Sequence, residues 1–142
     1  MGTRRRSREL AMQVLFQMDT NDENSSGTVE LFCEHFEVSK TAVPFFLQLV
    51  EGVKAHQYEI DRLIERFSDN WKIGRMPHVD RNIMRVAVYE LLYCDDIPPR
   101  ASINEAIDIG KKFGTEHSSA FINGILDSIR ISIEDKTALA TS

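Results

Sequence analysis

Apolar residues recur at spacings of three and four along nearly the whole chain, a period that belongs to the α-helix and not to the strand. Leu10, Ala11, Val14, Leu15 and Met18 place one apolar stripe on a first helix over about 7–19, with Gln13 and Phe16 off that stripe. Residues 21–27 contain no apolar side chain and read as a turn. A short helix is predicted over 28–36, with Val29, Phe32, Cys33 and Phe36 on its inner side. Ser39 or Thr41 can cap the next, over about 41–55, which admits Pro44 in its first turn and carries Phe45, Phe46, Leu49, Val50 and Val53. Gly52 argues against an unbroken run there, because an interior glycine costs about 1 kcal/mol relative to alanine. Ile60, Leu63, Ile64 and Phe67 repeat the pattern, with Arg62 and Arg66 outward.

Residues 70–77 form a connection closed by Pro77. The helix predicted over 79–94 is apolar on two sides: Val79, Ile83, Val86, Ala87 and Leu91 fill one, and Met84, Val88 and Leu92 the other. A helix apolar around that much of its circumference must be surrounded by others, which makes it the central post. Glu90 then either reaches the surface or is paired in the core. The prolines of 95–100 interrupt the helical pattern, and Ser102-Ile103-Asn104-Glu105 has the spacing of a capping box. The helix that follows turns Ile103, Ala106, Ile107 and Gly110 inward, carries Lys111 and Lys112 near its end, and stops at Gly114. Thr115 can cap a last helix bearing Phe121, Ile122, Ile125, Leu126 and Ile129, and the tail after Glu134 is expected to fray. The expectation is an all-α fold of about seven helices without strands, forming one domain over 1–142. A chain of 142 residues with 42% apolar content supplies one core and not two.

Several classes of function find no support in the pattern. No window approaches the roughly 18 consecutive apolar residues of a membrane span, and no signal-peptide apolar segment follows the first residues, so a cytoplasmic protein is expected. The histidines at 35, 56, 78 and 117 have no helical pairing that could grip a metal, and no glycine-rich phosphate cradle is present. Cys33 and Cys94 lie among apolar neighbours and read as reduced, buried thiols. No nucleophile is placed beside a base, so neither enzymatic activity nor a cofactor or metal is expected.

Charge is unevenly distributed. The net charge is −5, yet Arg4, Arg5, Arg6 and Arg8 stand against Glu9 alone in residues 1–18. Such a cluster can attract a polyanion while the remaining acidic surface repels nonspecific ones, and guanidinium groups can both straddle phosphate and stack on bases. A solvated basic tail is the plainer reading, although cations at a helix amino end oppose the helix dipole. Phe16 adds a stacking option for single-stranded RNA or a core contact, and Lys111, Lys112 and Phe121 extend the patch only if the last helices fold back beside the first. Asp80, Arg81, Arg85 and Glu90 on the central helix are open to two readings, solvated salt-bridge partners or a surface that orients a protein partner.

Four segments together resemble the NusB family of transcription antitermination factors: Arg4 to Phe16, Asp80 to Leu91, Ile103 to Gly114, and Phe121 to Leu126. The resemblance implies two packed helical subdomains around the central helix. It implies a non-enzymatic factor that binds boxA RNA jointly with ribosomal protein S10 (NusE) and helps the RNA polymerase antitermination complex through ribosomal RNA transcription. The RNA face would then comprise Arg4, Arg5, Arg6, Arg8, Phe16, Lys111, Lys112 and Phe121, and the S10 face Asp80, Arg81, Glu90, His117 and Phe121. Phe16 stands where the family often has tyrosine, and His117 where it can have an acid. Asn104-Glu105 and Asn123-Gly124 are expected to maintain the fold, with Gly124 permitting close helix packing. The resemblance also allows a homodimer that hides the RNA face.

Overall fold

The computed structural model describes residues 2–21 and 39–141. Among them are five α-helices and no strand: α1 (Thr3–Asn21), α2 (Val43–Phe67), α3 (His78–Tyr93), α4 (Pro99–Phe113) and α5 (Ser118–Thr141), with a single 3-10 turn at Ile73–Arg75. About seven helices were expected. The difference has a cause that can be named: the two helices predicted on either side of residue 56 are one, α2. The helix expected over 28–36 lies outside the described residues, as does Cys33.

Gly52 permits this continuity. A β-carbon there would fall inside the ring of Tyr89 on α3, so the missing side chain lets α2 and α3 approach. The bend that remains is one turn later, at His56 (φ −119°, ψ 18°). Its imidazole stacks on Tyr93 with ring centroids 4.3 Å apart, and the Tyr93 hydroxyl donates to Glu59 at 3.0 Å.

Residues 80–90 of α3 are all buried, as a central post requires. α1 and α2 pack on each other and on α3, and α4 and α5 do the same from their own pairing. The stripe Leu10, Ala11, Val14, Leu15, Met18 is buried as expected, together with Phe46, Leu49, Val53, Ile60 and Ile64 of α2 and Ile122, Leu126 and Ile129 of α5. Gly110 faces α5, where an added β-carbon would sit 3.0 Å from Ile122 Cδ1. Gly124 has open space around it, so the close packing expected at that glycine is absent.

Helix ends also depart from expectation. α1 begins at Thr3, four residues early, which puts all four arginines on the helix itself. α4 begins at Pro99, because proline at the first helical position loses no hydrogen bond. Ser102 is therefore inside the helix and caps nothing; its hydroxyl donates to Glu90 Oε1 at 2.8 Å. Ala42 precedes α2 without a side-chain cap. At α5 the Thr115 hydroxyl accepts from His117 N–H at 3.3 Å, and the Thr115 N–H donates to Ser118 Oγ at 2.9 Å, a reciprocal cap. The last helix continues past Glu134 to Thr141.

Candidate nucleic-acid interface

Arg8 is the one amino-terminal arginine that is fully interior. Its Nε and Nη2 each lie 2.8 Å from a carboxylate oxygen of Glu90, and Nη1 lies 3.2 Å from Glu105 Oε1. The side chains are 5% and 1% exposed, so the pair is shielded from solvent. Of the two readings open for Glu90, the paired one holds. Arg8 and Glu90 thus lie beneath the surface, each facing the other's charge.

The other arginines lie on the first turns of α1; Arg4 and Arg5 meet carboxylates from other elements and Arg6 meets one on its own helix. Arg4 reaches Asp96 at 3.2 Å, and Arg5 holds Glu105 through Nε at 2.6 Å and Asp108 through Nη2 at 2.8 Å. The Glu105 hydrogen bond holds the Arg5 guanidinium more firmly protonated than usual. Arg6 approaches Glu9 Oε1 at 3.5 Å, and Lys112 of α4 approaches Glu9 Oε2 at 3.1 Å. Thus α4 reaches α1 through Glu105, Asp108 and Lys112, which meets the condition for Lys112, whereas Phe121 of α5 meets Trp71 instead. Buried Glu9 bridges two half-exposed cations, and Lys111 is exposed next to them. Arg4 also lies over the Phe45 ring, 5.1 Å from its centroid.

The two aromatic residues expected at the site lie toward other elements. Phe16 is partly buried and meets His78 edge-on at 5.9 Å, while Phe121 meets Trp71 edge-on at 5.3 Å. His117 is exposed, with Nε2 3.4 Å from Glu116. Sequence gave no sign of the Trp71 contact, because the partner is fifty positions away and on a connection.

On α3 the solvated reading of the charges is overturned. Arg81 Nε lies 2.6 Å from Asp19 Oδ2, and Arg85 spans Asp61 (2.8 and 3.0 Å) and Asp19 (3.2 Å). Asn82 adds a bond to the same Asp19 oxygen at 3.2 Å. Burial pushes the Asp19 carboxyl upward, but hydrogen bonds from Arg81 and Asn82 and the charge of Arg85 outweigh it and hold it below the usual range. Asp80 is buried and accepts from Ser118 Oγ at 2.7 Å, tying the start of α3 to the start of α5. Asp19 and Asp61 were missed as partners; the available signal was that Arg81 and Arg85 stand four apart on a helix with no wet face.

Cys94 is free and buried, its thiol pushed up to about 11 chiefly by burial, with Glu90 and Asp96 adding to the effect. Among the described residues no group of three or more histidines, cysteines and acids could hold a metal, and no helix is long and apolar enough to cross a membrane. Every buried side-chain nitrogen and oxygen described has a hydrogen-bond partner.

Comparison with known proteins agrees with this architecture over most of its length. The NusB family model matches residues 5–130. The transcription antitermination protein NusB of Desulfatibacillum aliphaticivorans is 56% identical over 131 residues, 92% of each chain. That of Geobacter sulfurreducens is 49% identical over 137 residues, 96% of this chain and 99% of the other. The fold is similar to T. maritima NusB (TM-score 0.81, 40% identity, 89% of each chain). It is similar also to a chain in the crystal structure of antitermination factors NusB and NusE with double-stranded RNA (TM-score 0.84, 29% identity, 93% of this chain and 98% of the other). With an all-helical core, an arginine-bearing α1 braced by α4, and these matches across nearly its full length, the chain belongs to the NusB family of transcription antitermination proteins.

Proposed function

We propose that this chain is a non-enzymatic antitermination factor that binds boxA RNA jointly with ribosomal protein S10 (NusE), within the RNA polymerase antitermination complex that transcribes ribosomal RNA. The observation that carries this reading is the cationic track centred where Arg6 of α1 and Lys112 of α4 meet across Glu9, with Arg4 and Arg5 on the same end of α1 and exposed Lys111 adjoining Lys112 in the chain. Phosphates attach along that track, and Arg8 positions it from below by locking α1 onto α3 and α4. The similar fold solved with NusE and RNA supports the pairing of partners. Phe121 and His117 at the start of α5 supply the S10-facing edge; Asp80 and Arg81 shape that edge from within, and Phe16 is the candidate stacking residue on the RNA side.

Titration with single-stranded boxA RNA, a scrambled strand and a duplex, with and without S10 and at several salt concentrations, tests the reading. S10 is expected to tighten boxA binding more than binding of either control. The variant R4A/R6A/K111A/K112A is expected to bind more weakly, with a salt slope reduced by roughly 2–3. Equal affinity for boxA and scrambled RNA in the presence of S10 removes the specific role and leaves a protein-only adaptor.

A further inference from the structure

A second basic surface lies away from the arginine track. The carboxyl half of α2 and the connection after it enclose an open groove of about 630 Å³, lined by Tyr58, Glu59, Arg62, Glu65, Arg66 and Lys72 among others. Its shape depends on a tight reversal after Phe67. Asp69 and Asn70 both adopt left-handed backbone (φ 58° and 62°), a conformation these two residue types tolerate. The Asn70 N–H donates to Glu65 O at 2.9 Å, which turns the chain back and brings Lys72 beside α2.

Three cations, Arg62, Arg66 and Lys72, stand against two carboxylates, Glu59 and Glu65, in the groove lining, and neither carboxylate is turned to a cation. Glu65 is committed to the backbone N–H of Ile73 at 2.8 Å, and Glu59 to the Tyr93 hydroxyl at 3.0 Å. Arg62, Arg66 and Lys72 have no carboxylate partner among the described residues, although the protein carries a net charge of −5. Arg62 instead lies 5.7 Å from the centroid of Tyr58, a ring that is 78% exposed. Trp71, 42% exposed, stands in the chain between Asn70 and Lys72, which line the groove, and its ring meets Phe121 edge-on. Cations without a carboxylate partner among the described residues, beside an exposed tyrosine, have the chemistry that holds a single strand: phosphates on the cations and a base on the ring.

We infer that the groove between the carboxyl half of α2 and residues 68–72 is a second binding site for single-stranded RNA, with Arg62, Arg66 and Lys72 taking phosphates and Tyr58 or Trp71 stacking a base. The inference rests on the reading of the chain as an RNA-binding factor, but it concerns residues separate from the arginine track.

Trp71 is the one tryptophan in the chain and reports on the site directly. Oligouridine is titrated into the full-length protein at several salt concentrations, with binding followed by anisotropy and by tryptophan emission. In the wild type emission is expected to change on binding. In R62A/R66A/K72A that change is expected to disappear and the salt slope to fall by about 2, the loss expected when three contacts to a single strand are removed. R4A/R6A is expected to weaken overall binding while keeping the emission change at saturation. An unaltered slope and emission change in R62A/R66A/K72A overturns the groove. So does an emission change produced by polyglutamate and not by oligouridine, which assigns the groove to an acidic protein segment. Loss of S10-dependent boxA discrimination with groove-dependent emission intact counts against the arginine track alone.

Discussion

Arg8 and Glu90 close on each other in two parallel hydrogen bonds of 2.8 Å inside the protein, one from α1 and the other from near the end of α3. Ser102 of α4 donates to the same carboxylate at 2.8 Å, so three helices converge on one charge. Removing one member of a buried pair strands the other, at a cost of about 3–5 kcal/mol, whereas replacing both by apolar side chains is often neutral. Arg8→Met and Glu90→Leu should each lower stability by about that much in urea unfolding, and the double substitution should recover most of the loss. Single substitutions that leave stability within about 1 kcal/mol of wild type would show that Arg8 is free to serve at the surface.

Gly52 is the second place where the interior sets its own rule. Alanine is ordinarily better than glycine inside a helix by about 1 kcal/mol. Here the added methyl would collide with the Tyr89 ring, which is itself buried against α2. Overpacking of that kind costs about 1–3 kcal/mol, so Gly52→Ala should lower the unfolding midpoint in spite of its better propensity. Pairing it with Tyr89→Leu, which removes the ring, should make the two substitutions less costly together than their separate losses predict.

How much could be read in advance follows the range of the interactions. The apolar stripes of α1, α2, α4 and α5, and the encirclement of α3, are periodic within a helix, and the sequence carries that period locally. Gly52 looked like a break because its reason, Tyr89, lies on another helix. The Ser102 to Glu105 spacing resembles a cap, but Pro99 already opens the helix one turn earlier, and both side chains are used instead by Glu90, Arg5 and Arg8. The arginine cluster was visible as charge, but which arginines are free was not. That division depends on Glu90, Asp96, Glu105 and Asp108, none of them near the cluster in sequence.

Asp19 links stability to pH. Its carboxyl titrates lower in the folded protein than its ordinary value near 3.8, held there by Arg81, Asn82 and Arg85 against the opposing effect of burial. A depressed carboxyl contributes stability that is fully present above the unfolded value and is lost as pH falls through the folded one. Asp19→Asn should therefore lower stability at neutral pH, where Arg81 and Arg85 lose their shared partner. It should also flatten the decline below about pH 4. Urea unfolding of both proteins from pH 7 down to about pH 2.5 measures the two effects together. A constant difference between the curves across that range would mean that Asp19 is not the group whose protonation is felt.

Asp96 competes with RNA on the proposed track. It lies 3.2 Å from Arg4 in a pair whose side chains are 54% and 70% exposed. Exposed pairs of this kind are worth about 0.2–1 kcal/mol, weak enough for a phosphate to displace the carboxylate. Displacement still takes something from the affinity, and a neutral side chain would not demand it. Asp96→Asn should therefore raise affinity for boxA and scrambled RNA alike by up to about fivefold, with the gain shrinking as salt screens both interactions. The fold should be indifferent, since neither group is buried, and thermal unfolding serves as the control. A gain confined to boxA would place Asp96 in sequence selection instead, and weaker binding would mean that Asp96 holds Arg4 in the position RNA needs.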